Sequence, residues 1–145
     1  MIKRIIVFLL LLCGASVFLP PAALTQEDET LTPDRSPPTL NLSQAVMCED
    51  ISANIPRNQT VVFSVVREKA VCFTLFDKVS TKTFIYHNWF YKDIPSARIR
   101  LALQPPRWST FSSIQIRKTD IGPWRVEVTD ENGQVLRVLR FSITE

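Results

Sequence analysis

The sequence is poor in the residues and motifs from which metal and catalytic sites are built. Its 145 residues include one histidine and three cysteines, whereas a structural zinc site takes four ligands and a catalytic one usually three. No G-x-S-x-G motif presents a serine on a sharp turn, so strand and surface packing is expected for Ser109, Ser112 and Ser113. No loop has the alternating carboxylates of a dedicated calcium site; calcium stays an alternative only through Glu49, Asp50, Asp130 and Glu131. No catalytic residue, metal or cofactor is predicted.

A large excess of one charge is also missing. The formal net charge is +3 and falls to about +1 if Lys3 and Arg4 leave with an N-terminal signal. Nucleic-acid binding needs a strong basic patch, so no nucleic-acid partner is predicted. A local basic face for an anionic partner is the alternative to a solvated strand face, and it would comprise Arg98, Arg100, Arg107, Arg117 and Lys118.

Long hydrophobic runs are missing as well. The longest, residues 5–19, has about 15 residues, fewer than the ~20 of a membrane-spanning helix. It follows the basic residues Lys3 and Arg4 and ends at a proline pair, which is the order of a secretory signal sequence. We therefore predict a signal peptide over residues 1–25 and a periplasmic or secreted protein.

Small residues precede the predicted cleavage point between Thr25 and Gln26. An uncleaved membrane anchor is the main alternative to cleavage. Lipoprotein attachment at Cys13 is less favoured, because such a cysteine follows a small residue and Leu12 stands there.

The remaining chain divides into a linker and one domain. Residues 26–42 are polar and proline-rich, a composition that does not bury enough apolar surface to fold. Residues 43–145 are enough for a single hydrophobic core. They contain Cys48 and Cys72, and an even pair of cysteines in an exported protein predicts a disulfide bond. Two buried thiols, as in a reducing compartment, are the alternative.

The domain has the two-residue periodicity of β-strands, and no long helix is predicted. The predicted fold is an all-β, antiparallel, immunoglobulin-like sandwich of seven or eight strands. A break between the first strands is expected at residues 55–58. The strands are predicted at residues 45–51, 60–65, 70–76, 82–91, 97–103, 109–117, 124–129 and 135–143.

Two segments allow finer predictions. Asn132-Gly133 tolerates the positive φ angles of a tight hairpin, so strands 124–129 and 135–143 should pair antiparallel. In the first of these strands, Trp124, Val126 and Val128 should face the core, while water is expected to contact Arg125, Glu127 and Thr129. Strand 82–91 is apolar on both faces and should be central or covered by a partner.

Several motifs in this order resemble a bacterial family, the domain of unknown function DUF2914. They accompany Cys48 and Cys72 and occur at residues 71–74 (VCFT), 87–91 (HNWFY), 107–113 (RWSTFSS), 122–128 (GPWRVEV), 130–133 (DENG) and 141–143 (FSI). The resemblance extends from about Ala45 to the C-terminus. It implies a β-rich protein of the bacterial envelope, and the family supplies no catalytic residue to transfer.

The leading functional hypothesis is a non-enzymatic binding or interaction module of the envelope, with a protein or cell-wall glycan as partner. The candidate ligand-binding residues are His87, Trp89, Tyr91, Arg107 and Trp108. A lone histidine on an apolar strand is more often a packed core residue, and that alternative is favoured for His87. Two further hypotheses are a cell-wall hydrolase that uses His87 for acid–base catalysis and a structural subunit that pairs through an edge strand.

Overall fold

The structure, a computed structural model, describes residues 40–145 as nine β-strands and two short 3-10 helices. The predicted signal peptide and the predicted linker up to residue 39 lie outside the described residues. The first strand begins two residues before the predicted start of the domain. The strands are β1 (Asn41–Ser52), β2 (Ile55–Gln59), β3 (Val62–Ser64), β4 (Lys69–Asp77), β5 (Thr83–Tyr91), β6 (Ile94–Leu103), β7 (Trp108–Gln115), β8 (Gly122–Thr129) and β9 (Val135–Thr144).

The strands form two sheets that pack face to face. One sheet has four strands in the order β2-β1-β4-β7 and the other five in the order β3-β9-β8-β5-β6. Strands β1, β4 and β7 correspond to A, B and E of an immunoglobulin fold, and β6, β5, β8 and β9 correspond to C′, C, F and G. The predicted sandwich is therefore confirmed, with nine strands and one parallel pair, β3 with β9.

The alternation in β8 places its apolar side chains between the sheets. Trp124, Val126 and Val128 are buried in the main core, as predicted. The prediction that Thr129 faces water is wrong, because this residue is also buried. Its cross-strand neighbour is Tyr86, and the Asn88 side-chain amide donates a hydrogen bond of 3.1 Å to its hydroxyl group.

The predicted break at residues 55–58 is wrong, because this segment is strand β2. A two-residue turn at Ala53 and Asn54, with φ angles of 50° and 61°, connects it to β1, as in a type I′ hairpin. The Asn54 amide donates a hydrogen bond to the Ser109 hydroxyl group on β7. The hairpin thus lies over the outer face of the four-stranded sheet, where a second apolar cluster forms around Cys48, Val71 and Phe73.

The predicted pairing of the last two strands is confirmed, since β8 and β9 are antiparallel. Their connection is longer than a two-residue turn. Gly133 has a positive φ of 84°, and the Asp130 carboxylate accepts hydrogen bonds from the backbone N–H groups of Asn132 and Gln134. Between residues 40 and 145 no helix has the length and apolar character required to span a membrane.

Candidate functional site

Five polar groups form a hydrogen-bonded chain between the two sheets. The Trp89 indole N–H donates to the Ser112 hydroxyl oxygen over 3.1 Å, and Ser112 Oγ lies 2.8 Å from His87 Nδ1. On the other side of the imidazole, Nε2 lies 3.3 Å from Thr74 Oγ1, whose hydroxyl group donates to the Thr110 carbonyl oxygen. His87 and Trp89 are on β5, whereas the other three residues belong to the facing sheet.

The ends of this chain assign the tautomer of His87. An indole nitrogen only donates and a carbonyl oxygen only accepts. The Thr74 hydroxyl gives its one proton to the Thr110 carbonyl oxygen, so Thr74 Oγ1 must accept from the Nε2–H group of His87. Nδ1 of a neutral imidazole then accepts from the Ser112 hydroxyl, which itself accepts from the indole. Burial disfavours the imidazolium ion and lowers the pKa of His87 from 6.5 to about 4. A neutral imidazole satisfies every group in the chain.

The candidate ligand-binding residues do not meet on one surface. His87 and Trp89 are fully buried, with 0% of each exposed. The Tyr91 hydroxyl group donates to the Ile121 carbonyl oxygen at 2.9 Å. Trp108 begins the edge strand β7 of the other sheet and is 39% exposed, and Arg107, on the loop before β7, forms an ion pair with Asp77. The alternative of a packed core histidine is confirmed for His87.

Ser112 differs from the surface serine that its sequence context suggests. Its hydroxyl group is buried and contacts both His87 and Trp89, whereas the neighbouring Ser113 is exposed. Successive residues of a strand point to opposite faces, so only one of these two serines reaches the core.

The predicted disulfide bond between Cys48 and Cys72 is absent, because both thiols are free and buried. The residue opposite Cys48 on β4 is Val71, and the residue opposite Cys72 on β1 is Met47. Cys48 therefore belongs to the outer apolar cluster and Cys72 to the core between the sheets. A bond would require β1 to shift by one residue and turn its side chains to the other face. Burial also raises the pKa of both thiols.

We expect Cys48 and Cys72 to behave as shielded thiols. Iodoacetamide should modify both residues in denaturant without reductant and neither of them in the native protein. Peptide mapping by mass spectrometry shows which of the two cysteines is modified under each condition. A Cys48–Cys72 linked peptide in the unreduced digest would contradict this arrangement.

The outer face of the five-stranded sheet carries aromatic rings with arginine side chains stacked on them. The guanidinium carbon of Arg100 lies 3.8 Å from the ring centroid of Phe84, and that of Arg98 lies 3.8 Å from the centroid of Tyr86. Both distances are typical of cation–π contacts. Strand 82–91 was expected to be central or covered by a partner, and β5 lies between β8 and β6 in the sheet. The arginines of β6 pack on its outer face.

A third pair, Arg125 over Phe90, continues this face onto β8, with 4.0 Å between the guanidinium carbon and the ring centroid. Arg125 also forms ion pairs with Asp93 and Glu127. Arg98 and Arg100, by contrast, are exposed, and neither has a carboxylate within 4.0 Å among residues 40–145. Within the described part of the chain, these two residues therefore carry positive charge without an acidic partner.

The predicted group of five basic residues is divided among different parts of the fold. Arg98 and Arg100 are on β6, Arg107 is on the loop before β7, and Arg117 and Lys118 lie at the second 3-10 helix. Only the first two are stacked on the aromatic rings of β5. A basic face exists, and it is smaller than the sequence suggests.

The acidic residues considered for calcium are engaged with other side chains or with the backbone. Glu49 and Asp50 form ion pairs with Arg67 and Lys69, respectively. The Asp130 carboxylate accepts backbone hydrogen bonds in the β8–β9 loop, and Glu131 accepts one from Thr83. In the described part of the chain, no three potential ligand side chains cluster as a metal site.

Two surface pockets lie away from the buried histidine. One, of about 300 Å³, is at the end of the sandwich, and its lining includes Lys78, Lys82 and Asp130. The other, of about 420 Å³, lies between the β1–β2 hairpin and the four-stranded sheet and is lined by residues that include Ile55 and Phe73. His87 lines neither of them.

Comparison with known families finds a match in the second part of the domain. Residues 82–143 match the family model described as protein of unknown function (DUF2914). The DUF2914 match runs from the start of β5 into β9, which is less than half of the chain, and confirms the resemblance there. It contains all three stacked arginines and the rings beneath them, whereas both buried cysteines lie before it. No curated protein matches this chain.

Residue spacing alone did not identify the stacked pairs within the DUF2914 match. The signal was present, since arginines alternate along β6 as aromatic residues alternate along β5. To recognise the pairs, one also needs the register of β5 with β6, in which Tyr86 lies opposite Arg100 and Asn88 lies opposite Arg98. Each arginine side chain reaches diagonally to the ring that lies two residues before its opposite residue on β5.

Proposed function

We propose that the chain is an exported, non-enzymatic module of the bacterial envelope that binds cell-wall glycan through the outer face of its five-stranded sheet. The observation that carries this proposal is the pair Arg98 and Arg100. Their guanidinium groups are held on aromatic rings, are exposed, and have no acidic partner among residues 40–145. The basic and apolar N-terminal segment supports export.

A binding function fits the polar groups better than hydrolysis does. An acid–base residue must come within hydrogen-bonding distance of its substrate, but His87 is fully buried and both of its ring nitrogens have partners. The carboxylates of Asp93 and Glu127 both bind Arg125.

The hypothesis of a structural subunit that pairs through an edge strand also has less support than glycan binding. Strand β6 is the edge of the five-stranded sheet on the side of the stacked arginines. It contains Pro95, which has no N–H group to donate, and two exposed arginines. Prolines and charged side chains are features by which edge strands avoid pairing with other chains.

The proposal is tested by sedimentation of the mature protein, purified from cells that express the full sequence, with isolated bacterial cell walls. We expect the protein in the pellet and no release of soluble glycan fragments. His87→Gln, tested under conditions in which it is folded, should sediment to the same extent. Protein that stays in the supernatant would contradict the proposal, as would glycan release that depends on His87.

A further inference from the structure

We infer that the ligand is an acidic glycan whose carboxylate groups bind Arg98 and Arg100, an inference that rests on the proposed function above. The first reason is charge. The one arginine of this face that has acidic partners is Arg125, with two of them, while the two arginines of β6 have none among residues 40–145. An anionic ligand supplies the missing partner.

The second reason is the position of the guanidinium groups. The guanidinium carbon of each arginine lies 3.8 Å from a ring centroid, so the ring shields one side of the group. The N–H groups at its edges remain available for hydrogen bonds, and their fork matches the two oxygens of a carboxylate. Stacking also limits the conformations of the free side chain, which reduces the entropy that is lost when a ligand binds.

The third reason is the spacing of the two arginines. They are two residues apart on one strand, so their Cα atoms are separated by roughly 7 Å. Both side chains reach diagonally along β5 in the same direction. A linear polymer with a carboxylate on its repeating unit can engage both groups at once and gains from this double attachment.

Neutral glycans fit this face less well. A neutral sugar stacks its CH groups on an open aromatic plane, and arginines occupy that position over Phe84 and Tyr86. Open aromatic surface is found on the other sheet, where Trp108 and Phe111 are 39% and 47% exposed.

The test measures binding of the mature protein to polygalacturonate, a polymer of uronic acid, with uncharged dextran as the reference. We expect polygalacturonate to bind and dextran not to bind. The double substitution Arg98→Gln, Arg100→Gln should weaken binding roughly 100-fold, or about tenfold for each charge-assisted contact. Arg98→Lys with Arg100→Lys keeps the charge without the planar fork and should weaken binding about tenfold.

Two control variants separate the stacked arginines from general charge attraction and from the exposed tryptophan. Arg57→Gln with Lys118→Gln removes the same charge from exposed positions outside this face and should change the affinity less than about threefold. Trp108→Ala should have no effect on binding. Thermal melting of every variant verifies that it is folded, because all the substituted positions are exposed.

Three results would overturn the inference. Equal losses for the two glutamine double variants would indicate non-specific charge attraction. Binding to vesicles of phosphatidylglycerol without binding to polygalacturonate would indicate a membrane surface instead. Sedimentation with cell walls that is unchanged by the loss of both arginines would refute the acidic ligand and this binding face, and would leave only cell-wall binding itself standing. Failure to bind cell walls at all would refute the function itself.

Discussion

Replacement of Ser112 by alanine is expected to lower the free energy of unfolding by roughly 2–6 kcal/mol, at a cost of about 1–3 kcal/mol for each buried polar group left without a partner. Two groups lose theirs, the indole N–H of Trp89 and Nδ1 of His87. Small domains have a total stability of about 5–15 kcal/mol, so this is a large fraction. Urea denaturation followed by tryptophan fluorescence measures the change.

Ser113→Ala is the matched control for this substitution. It removes the same atom from the next residue of β7, which is exposed on the opposite face. Its effect should stay within about 0.5 kcal/mol. Equal stability of the two alanine variants would show that the serine hydroxyl does not hold the buried chain together.

The second large effect is a loss of stability in acid that originates at His87. Its pKa is lowered to about 4 in the folded protein from 6.5, because burial disfavours the imidazolium ion. The unfolded chain therefore binds the proton more readily between these values. The stabilisation is fully present above pH 6.5, decreases as the pH falls, and is lost below about pH 4. The total loss is about 3 kcal/mol at ~1.4 kcal/mol for each pH unit.

His87→Gln should remove this part of the pH dependence and retain the part that carboxylates contribute. The difference between the two stability profiles, measured by urea denaturation from pH 8 to pH 4, isolates the histidine. His87 is the single histidine of the chain, so its imidazole NMR signals also report the titration directly. A midpoint near 6.5 in the folded protein would disprove the buried neutral state.

Strands with one apolar and one polar face were predictable from the sequence. In β8, Trp124, Val126 and Val128 alternate with polar residues, and only one arrangement buries all three. Strand β2 carries no such signal. It contains Pro56, lies at a sheet edge and follows a positive-φ turn made by Ala53 and Asn54, without the glycine that usually marks it.

The disulfide was mispredicted because sequence spacing does not specify the face on which a residue lies. Cys48 and Cys72 are on neighbouring strands, and a register different by one residue would turn Cys48 toward the core. Register is set by the whole apolar pattern of β1 and β4, of which two cysteines are a small part.

The polar chain and the stacked arginines were beyond sequence reasoning for a related reason. His87 is a candidate ligand-binding residue for which the sequence favours the alternative of a packed core residue, but its partners, Thr74 and Ser112, are on the opposite sheet. Which residue lies across a sandwich depends on how the sheets are aligned. Arg98 was recognised as basic, and its contact with Tyr86 depends on hairpin register.

The hydrogen-bonded chain through His87 has a further consequence for the movement of protons. A row of hydroxyl groups usually has two proton orders, one the reverse of the other, and conducts protons by switching between them. Here the indole of Trp89 fixes one end and the carbonyl group of Thr110 fixes the other, because neither group can exchange the roles of donor and acceptor. The protons of the domain core are thus held in one order and cannot act as a relay.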